Sequence, residues 1–183
     1  MRDVGLTKKQ IRSKILFRLK IQKEEDRNRK SKIIKEKLFR IPVFKKAKRV
    51  MFYISFDGEV NTQDMIKETQ KLGKIVVVPV CNNRMLMPCL LANKARLEKG
   101  PYGISQPVVK NPVKLQDLDL VIVPGVAFSK KGMRLGRGRG YYDRFLKKLP
   151  KKTTSIGLAF DFQILPSLPA TTTDVNVDRT IFA

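Results

Sequence analysis

The first forty residues carry their hydrophobic positions at the spacing of an α-helix. Apolar side chains recur on one face of residues 7–20, which predicts an amphipathic helix there. Thr7 and Gln10 fit the capping box that begins many helices. A second helix, highly charged, is predicted over residues 24–39 and is interrupted by Pro42.

Beyond these helices the apolar residues form short continuous runs, which are typical of strands buried on both faces of a sheet. The runs predict strands at residues 49–55, 74–80, 85–91, 119–125 and 155–160. Helices are predicted from Asn61 or Thr62 to Leu72, and from near Tyr141 to about Leu149. This alternation predicts an α/β fold with a largely parallel sheet that is covered on both faces.

The composition limits the classes of protein that remain. A length of 183 residues predicts one domain over residues 1–183. No apolar run approaches the length of a membrane span, and the N-terminus lacks the apolar core of a signal peptide. Two cysteines and no histidine exclude a disulfide framework and histidine-based catalysis, and give no zinc site. We therefore expect a cytoplasmic protein.

The charge is extreme, because 39 basic residues face 16 acidic ones and leave a net charge of +23. Residues 1–50 hold 19 of the basic and 5 of the acidic residues. Such a balance favours polyanionic partners, including nucleic acid. The basic residues are interleaved with apolar ones, however, which favours a lysine-rich solvated surface over a binding tail.

Candidate chemistry is concentrated between Val123 and Leu146. The centre of this stretch alternates glycine with arginine, as Gly136, Arg137, Gly138, Arg139 and Gly140. Glycine accepts a positive φ angle and lets the backbone approach a ligand closely. Successive exposed amides in such a loop can form an anion-binding concavity. The spacing predicts a phosphate cradle ahead of a helix.

The side chains around this cradle suit a nucleotide. Arg134, Arg137 and Arg139 carry permanent charges with the fork geometry that phosphate and carboxylate groups accept. Two tyrosines follow and offer flat rings. Asp143 then supplies a carboxylate, with which Mg²⁺ could bind beside the phosphates of a nucleotide.

The residue types alone leave alternatives open. The loop lacks the Gly-Lys-Ser/Thr ending of a Walker A motif and the G-x-G-x-x-G spacing of a dinucleotide site. It could be a flexible basic loop, or a nucleic-acid contact in which Tyr141 and Tyr142 stack on bases. A different phosphotransferase on a similar fold is a further alternative.

The whole stretch closely resembles the signature of the 5-formyltetrahydrofolate cyclo-ligase family, P-G-x-x-F-(D)-x-x-G-x-R-L-G-x-G-x-G-Y-Y-D. The matching residues are Pro124, Gly125, Phe128, Gly132, Arg134, Leu135, Gly136, Gly138, Gly140, Tyr141, Tyr142 and Asp143. Ser129 departs from the pattern, because many members have aspartate there. The resemblance extends more weakly from Lys8 to Asp178.

The resemblance implies a Rossmann-like three-layer α/β/α sandwich that catalyses an ATP- and Mg²⁺-dependent ring closure. The family converts 5-formyltetrahydrofolate to 5,10-methenyltetrahydrofolate through a phosphorylated formyl group, an iminium phosphate, and releases ADP and phosphate. The implied partners are ATP and the folate, which in cells can carry a polyglutamate tail. A monomer is expected, with no membrane or specific nucleic-acid partner.

The resemblance also implies roles for single residues. ATP contacts are carried over onto Lys8, Arg12, Arg134, Leu135, Gly136, Arg137, Gly138, Arg139, Gly140, Tyr141 and Tyr142. Folate contacts are carried over onto Ile54, Glu59, Arg137, Gly138, Arg139, Gly140 and Tyr141. The implied catalytic residues are Arg137, Arg139 and Tyr141, and the implied metal ligands are Asp143 and Asp178.

Several of these positions would be read differently without the family. Lys8 and Arg12 would be surface cations on one helix face, and Glu59 an exposed loop carboxylate. Thr173 stands where the family often has histidine, so the role of that position is open. Tyr102 lies among residues 92–116, which look mostly like connections, and could stack on a ligand or pack in its loop.

Overall fold

The computed structural model of the chain describes residues 6–82 and 85–183. The described α-helices are α1 (Lys8–Ile21), α2 (Glu24–Arg40), α3 (Pro42–Lys46), α4 (Gln63–Lys71) and α5 (Tyr141–Leu146). The described strands, in chain order, are β1 (Arg49–Met51), β2 (Ile75–Asn82), β3 (Met85–Leu90), β4 (Leu97–Lys99), β5 (Ser105–Pro107), β6 (Leu120–Val123), β7 (Ala127–Ser129), β8 (Arg134–Leu135), β9 (Thr154–Ala159), β10 (Ile164–Leu165) and β11 (Arg179–Phe182). Among the described helices, none combines the length and the hydropathy that a membrane span requires.

A six-stranded sheet forms the centre of the molecule, in the order β11-β9-β6-β1-β2-β3. Its neighbouring strands are parallel except for β2 and β3, which form an antiparallel hairpin. The largely parallel sheet predicted from the apolar runs is therefore confirmed. The edge strand β11 was not predicted, because only Ile181 of its residues is fully buried and the run is short.

Two hydrophobic cores cover the two faces of the sheet. Successive strand residues point to opposite faces, so Val76 and Val78 belong to one core and Val77 to the other. The first core contains residues of α1, α2, α3 and α4, whereas the second contains Phe145 and Leu146 of α5. The three-layer α/β/α arrangement follows from this division.

The predicted N-terminal helices are confirmed with shifts of one residue. Thr7 caps α1 through its side chain, and Gln10 completes the capping box. The buried face of α1 consists of Ile11, Ile15 and Leu19. The helical period of the sequence therefore identified the core-facing side of α1.

The segment after β1 differs from the prediction. The strand was expected over residues 49–55 but ends at Met51. Residues 52–62 form a loop that leads to α4. The Thr62 hydroxyl donates to the Tyr53 carbonyl at 2.7 Å and therefore does not cap α4. The Asn61 side chain instead accepts from the Gln63 amide at 3.0 Å.

Other local structure was missed or misjudged. The connection over residues 92–116 contains the β4–β5 hairpin, and part of the glycine-rich stretch is the β7–β8 hairpin. The helix expected to reach about Leu149 ends at Leu146, where tighter turn hydrogen bonds follow. The strands of the two hairpins have two or three residues each, too few for periodicity to reveal.

Two glycines with left-handed backbones allow a test of close packing. Gly58 has a φ of +78°, and a Cβ there would lie 2.2 Å from the Leu19 carbonyl oxygen. Gly73 has a φ of +73°, and a Cβ there would meet nothing within 4 Å. We expect Gly73→Ala to lower the free energy of unfolding by about 1 kcal/mol. Gly58→Ala should lower it by at least about 3 kcal/mol, since α1 must also move.

Urea denaturation of both variants measures this difference. Because both positions need a positive φ, Gly73→Ala is the matched control for backbone strain alone. Equal losses in the two variants would contradict the close approach of α1 to the loop after β1.

Candidate active site

A cavity of about 330 Å³ lies at the carboxyl ends of β1, β2 and β6. Ligands of open α/β sheets bind at this end of the strands. Ten of the residues assigned to the site from the sequence line it, namely Ile54, Glu59, Arg134, Gly136, Arg137, Arg139, Gly140, Tyr141, Tyr142 and Asp143. The predicted residues Lys8, Arg12, Leu135, Gly138 and Asp178 are not part of this lining.

Several lining residues were not assigned to the site from the sequence. They are Tyr53, Phe56, Pro79, Cys81, Leu86, Ile104, Pro124 and Gly125, together with Tyr102, for which stacking was one of two options. Those that follow β1 and β6 could have been found, because they come directly after buried runs. Leu86 could not, since its place depends on its pairing with Cys81 in the β2–β3 hairpin.

The glycine-rich loop has the backbone shape that its sequence predicts. Gly138 and Gly140 adopt φ angles of +100° and +67°, which only glycine takes without strain. The Arg12 side chain donates from Nε to the Gly136 carbonyl at 2.8 Å. This bond attaches α1 to the loop and explains why Arg12 belongs near the site without lining the cavity.

The arginines of the loop have different partners. Arg137 contacts Asp57 at 3.0 Å and Glu59 at 3.5 Å, and its guanidinium lies 4.5 Å from the ring centre of Phe56. Arg139 instead lies over the ring of Tyr102, at 5.2 Å. The loop is therefore held by acidic and aromatic groups of the cavity.

Glu59 is a largely buried carboxyl, and the exposed-loop interpretation of the sequence is wrong. Its side chain is only 12% exposed. Burial raises the pKa of Glu59 to about 7, although Arg137 and the Phe56 amide act in the opposite direction. A carboxyl that titrates near neutrality in a cavity is a candidate for ligand recognition or proton transfer.

Arg134 and Asp143 form the most buried ion pair of the site. Arg134 Nη2 lies 2.7 Å from Asp143 Oδ1, and the arginine side chain is 3% exposed. The Val175 amide also donates to Asp143 Oδ1, at 3.3 Å. Asp143 therefore links the loop, α5 and the C-terminal segment.

Two buried polar atoms of this region lack a hydrogen-bond partner among the described residues. They are Nε of Arg134 and the hydroxyl of Tyr142. Leaving such atoms unpaired costs free energy, and folded proteins do so rarely. Their place beside the cavity is consistent with a region organised for a polar ligand.

Lys8 and the C-terminal segment meet beside the loop. The Lys8 ammonium contacts the Asp174 carboxylate and, at 3.3 Å, the Thr171 hydroxyl. Asp143, just after the glycine-rich loop, also accepts from the Val175 amide of this segment, so the segment lies beside the end of the loop. Thr173, at the position where histidine was expected, shares a hydrogen bond with Thr171 at 3.1 Å.

The two predicted metal ligands do not share a set of contacts. Asp178 accepts from the amide and hydroxyl of Ser155, both at 2.7 Å, and so joins β9 to the start of β11. The described part of the chain contains no cluster of three or more acidic, cysteine or histidine side chains that could hold a metal. Mg²⁺ often uses only one or two carboxylates with phosphate oxygens and water, and Asp143 fits that pattern better than Asp178.

The sequence matches the 5-formyltetrahydrofolate cyclo-ligase family over residues 4–183. The chain belongs to this family. The mouse 5-formyltetrahydrofolate cyclo-ligase is 33% identical, over 98% of this chain and 95% of the mouse protein. The Caenorhabditis elegans protein named a probable cyclo-ligase is 34% identical, over 89% of this chain and 85% of that protein.

Solved structures support the same family fold. The NMR structure of 5,10-methenyltetrahydrofolate synthetase from Aquifex aeolicus matches with a TM-score of 0.87 and 35% identity, over 97% of this chain and 90% of that one. The synthetase from Mycoplasma pneumoniae matches with a TM-score of 0.80. At 22% identity, over 96% of this chain and 98% of that one, it supports the fold alone.

Ser129, where many cyclo-ligases have aspartate, has a clear local role here. It is 2% exposed, and its hydroxyl accepts from the amides of Lys131 at 3.3 Å and Met133 at 3.2 Å. These bonds close the turn between β7 and β8. A short acceptor is what this position uses, and aspartate also offers one.

The Arg134–Asp143 pair gives a prediction about stability. Asp143→Asn leaves a buried guanidinium without its counter-charge, so the free energy of unfolding should fall by about 3 kcal/mol. Asp174→Asn is the matched control, because the side chains of its pair with Lys8 are 21% and 25% exposed. Its loss should be about 1 kcal/mol or less. Urea denaturation measures the free energy of unfolding of both variants. If it falls no more in Asp143→Asn than in Asp174→Asn, the Arg134–Asp143 pair does not stabilise the fold as proposed.

Proposed function

We propose that this chain is a 5-formyltetrahydrofolate cyclo-ligase, which closes 5-formyltetrahydrofolate to 5,10-methenyltetrahydrofolate with ATP. One observation carries the proposal in detail. Glu59, from the loop after β1, and the glycine-rich loop, nearly eighty residues later, line a single cavity in a chain of this family. This shared lining supports a single site for the folate and nucleotide contacts that were expected from separate motifs.

The reaction requires activation of a formyl oxygen, which is a poor leaving group. The γ-phosphoryl group of ATP is transferred to this oxygen, which gives ADP and an iminium phosphate. N10 of the folate then attacks the formyl carbon and loses its proton, and the C–O bond breaks to release phosphate. Phosphoryl transfer depends mainly on positioning and on neutralising charge. Neither step requires histidine, which this chain lacks.

The arginines and the glycine loop supply the phosphate side of the site. Arg137 and Arg139 line the cavity and offer bidentate donors to phosphate oxygens. Arg12 supports the loop from α1, and Lys8 lies at the C-terminal segment beside it. These contacts support the proposed ATP-binding roles of all four residues and the catalytic roles of Arg137, Arg139 and Tyr141.

Glu59 and Ile54 supply the folate side. A carboxylate accepts hydrogen bonds from the N–H groups at the edge of a pterin ring. Ile54 offers an apolar surface in the same cavity. Holding the folate here would set its formyl oxygen near the phosphates, which removes much of the entropic barrier to the transfer.

Asp143 is the proposed ligand of Mg²⁺, with Asp178 as a second carboxylate that would have to leave Ser155. When bound, the ion neutralises charge on the phosphates. The predictions of a monomer, of one domain over residues 1–183 and of a cytoplasmic location also stay proposals.

The decisive experiment mixes the protein with ATP, Mg²⁺ and 5-formyltetrahydrofolate. Formation of the methenyl product is followed by its near-ultraviolet absorbance. Omitting ATP is the control and should abolish the signal. No product under any of these conditions would reject the proposed function.

The ionisation of the Glu59 carboxyl leads to a prediction about how folate binding depends on pH. Its pKa is about 7, and the ionised form accepts from the pterin N–H groups much more strongly than the neutral carboxyl, whose O–H is a donor. Raising the pH from about 6 to about 8 should therefore lower KM for the folate about tenfold. Glu59→Gln should abolish this pH dependence and raise KM, while KM for ATP stays constant.

Asp57→Asn is the matched control for this test, because Asp57 also pairs with Arg137 but is exposed. It should keep the pH dependence. A Glu59→Gln enzyme with the parent's pH profile would contradict folate recognition by Glu59.

The bond from Arg12 to the glycine-rich loop leads us to expect that a substitution of Arg12 affects ATP binding alone. Arg12→Ala removes the charged hydrogen bond to the loop, so KM for ATP should rise about 10- to 100-fold. KM for the folate should change little. Lys14→Ala, an exposed lysine on the same helix, is the control and should change neither constant. A higher KM for the folate with an unchanged KM for ATP would contradict the assignment.

A further inference from the structure

A group of basic residues lies at the end of the sheet opposite the cavity, and the proposed activity does not use it. Four segments precede the parallel strands β1, β2, β6 and β9. We call them together the basal face, which comprises residues 45–49, 71–75, 117–119 and 151–154. These segments contain eight basic residues, whereas Asp117 and Asp119 are their two acidic ones.

Backbone hydrogen bonds hold the four segments side by side. The carboxylate of Asp119 accepts from the amides of Lys48 and Arg49, both at 2.8 Å. The Ile75 amide donates to the Lys48 carbonyl at 2.9 Å, and the Thr154 amide donates to the Asp119 carbonyl at 3.1 Å. Neighbouring strands lie about 4.8 Å apart, so the row from β9 to β2 spans about 15 Å.

The cations of this face are available to a partner. The exposed ones are Lys45, Lys46, Lys48, Lys71, Lys151 and Lys152. None of these six forms an ion pair with another residue that the structure describes. Asp117 and Asp119 offset only part of the charge, because eight basic minus two acidic residues leave the face with a net charge of +6.

The glycine-rich loop, by contrast, is not a free basic surface. Arg137 is paired with Asp57 and Glu59, and Arg139 lies against Tyr102. A nucleic-acid contact through that loop, one of the alternatives from the sequence, would have to displace these partners. The basal face, by comparison, brings six exposed lysines together on four neighbouring segments, with no ion pair to any described residue.

The chemistry of the face selects one kind of partner. Lysine is depleted from protein–protein interfaces, and attachment to a membrane needs apolar anchors. The exposed apolar side chains described on this face are Leu72 and Ile75, both in the segment before β2. A row of about 15 Å matches four or five phosphates of a nucleic-acid strand. We propose that the basal face binds the phosphate backbone of nucleic acid, without reading the bases and independently of the cavity.

The test measures fluorescence anisotropy of a labelled DNA duplex of about 20 base pairs, from about 50 to about 200 mM salt. For the parent protein, log K against log salt should have a slope of about −4. Duplexes of unrelated sequence should bind within about threefold of one another, because phosphate contacts carry no sequence information. Saturating ATP should leave the binding unchanged.

Two variants with the same change in net charge locate the surface. In the basal variant, four lysines become Gln, namely Lys45, Lys46, Lys151 and Lys152. Its affinity for the duplex at about 100 mM salt should fall at least about 30-fold. Its slope of log K against log salt should be closer to zero by about 3. In the control, four exposed lysines of α1, α2 and α4 become Gln, namely Lys14, Lys20, Lys32 and Lys67. Its affinity should fall less than about threefold, and both variants should keep the parent's cyclo-ligase rate and melting curve.

Three results would overturn the inference. Equal losses in the two variants would assign the binding to net charge in general. Displacement of the duplex by ATP would assign it to the cavity. Tighter binding to phosphatidylglycerol vesicles than to duplex, at equal phosphate concentration, would assign the face to membranes. The proposed activity is judged separately, by the parent's turnover of 5-formyltetrahydrofolate without any nucleic acid.

Discussion

The ion pair between Arg134 and Asp143 closes the glycine-rich loop, because the two residues stand just before and just after it. The same arginine reaches the Pro124 carbonyl at 3.4 Å, and the same carboxylate accepts from Val175. One buried contact thus fixes the loop against the end of β6 and the C-terminal segment. A flexible run of glycines can serve as a phosphate cradle only if its ends are held in this way.

The layers of the fold could be predicted from the sequence, whereas the local contacts of the site could not. Continuous runs such as Val76 to Val78 require burial on both faces, and this identified the sheet and its largely parallel order. The glycine and arginine alternation identified the cradle. The bond of Arg12 to Gly136 joins positions 124 residues apart. No spacing rule reaches that far, so only the family resemblance placed Arg12 near ATP.

The contacts of the two aspartates predicted as metal ligands could not be read from the sequence either. Asp143 and Asp178 look equivalent in sequence, as single carboxylates near basic or polar neighbours. In the fold, Asp143 neutralises a buried arginine, while Asp178 holds two groups of Ser155 at the start of a strand pair. A carboxylate with a structural duty can still bind a metal. Loss of activity in a variant of either residue therefore has to be separated from loss of folding.

Arg137 lies where the two halves of the proposed site meet. It was assigned to ATP, to folate and to catalysis from the family pattern, and its contacts explain how one side chain could serve all three. Its guanidinium touches the carboxyl of Glu59, and it extends from the phosphate cradle. If phosphate draws Arg137 away, Glu59 loses the neighbouring charge that lowers its pKa. Occupancy of one half of the site must then alter affinity in the other, and by linkage the effect is equal in both directions.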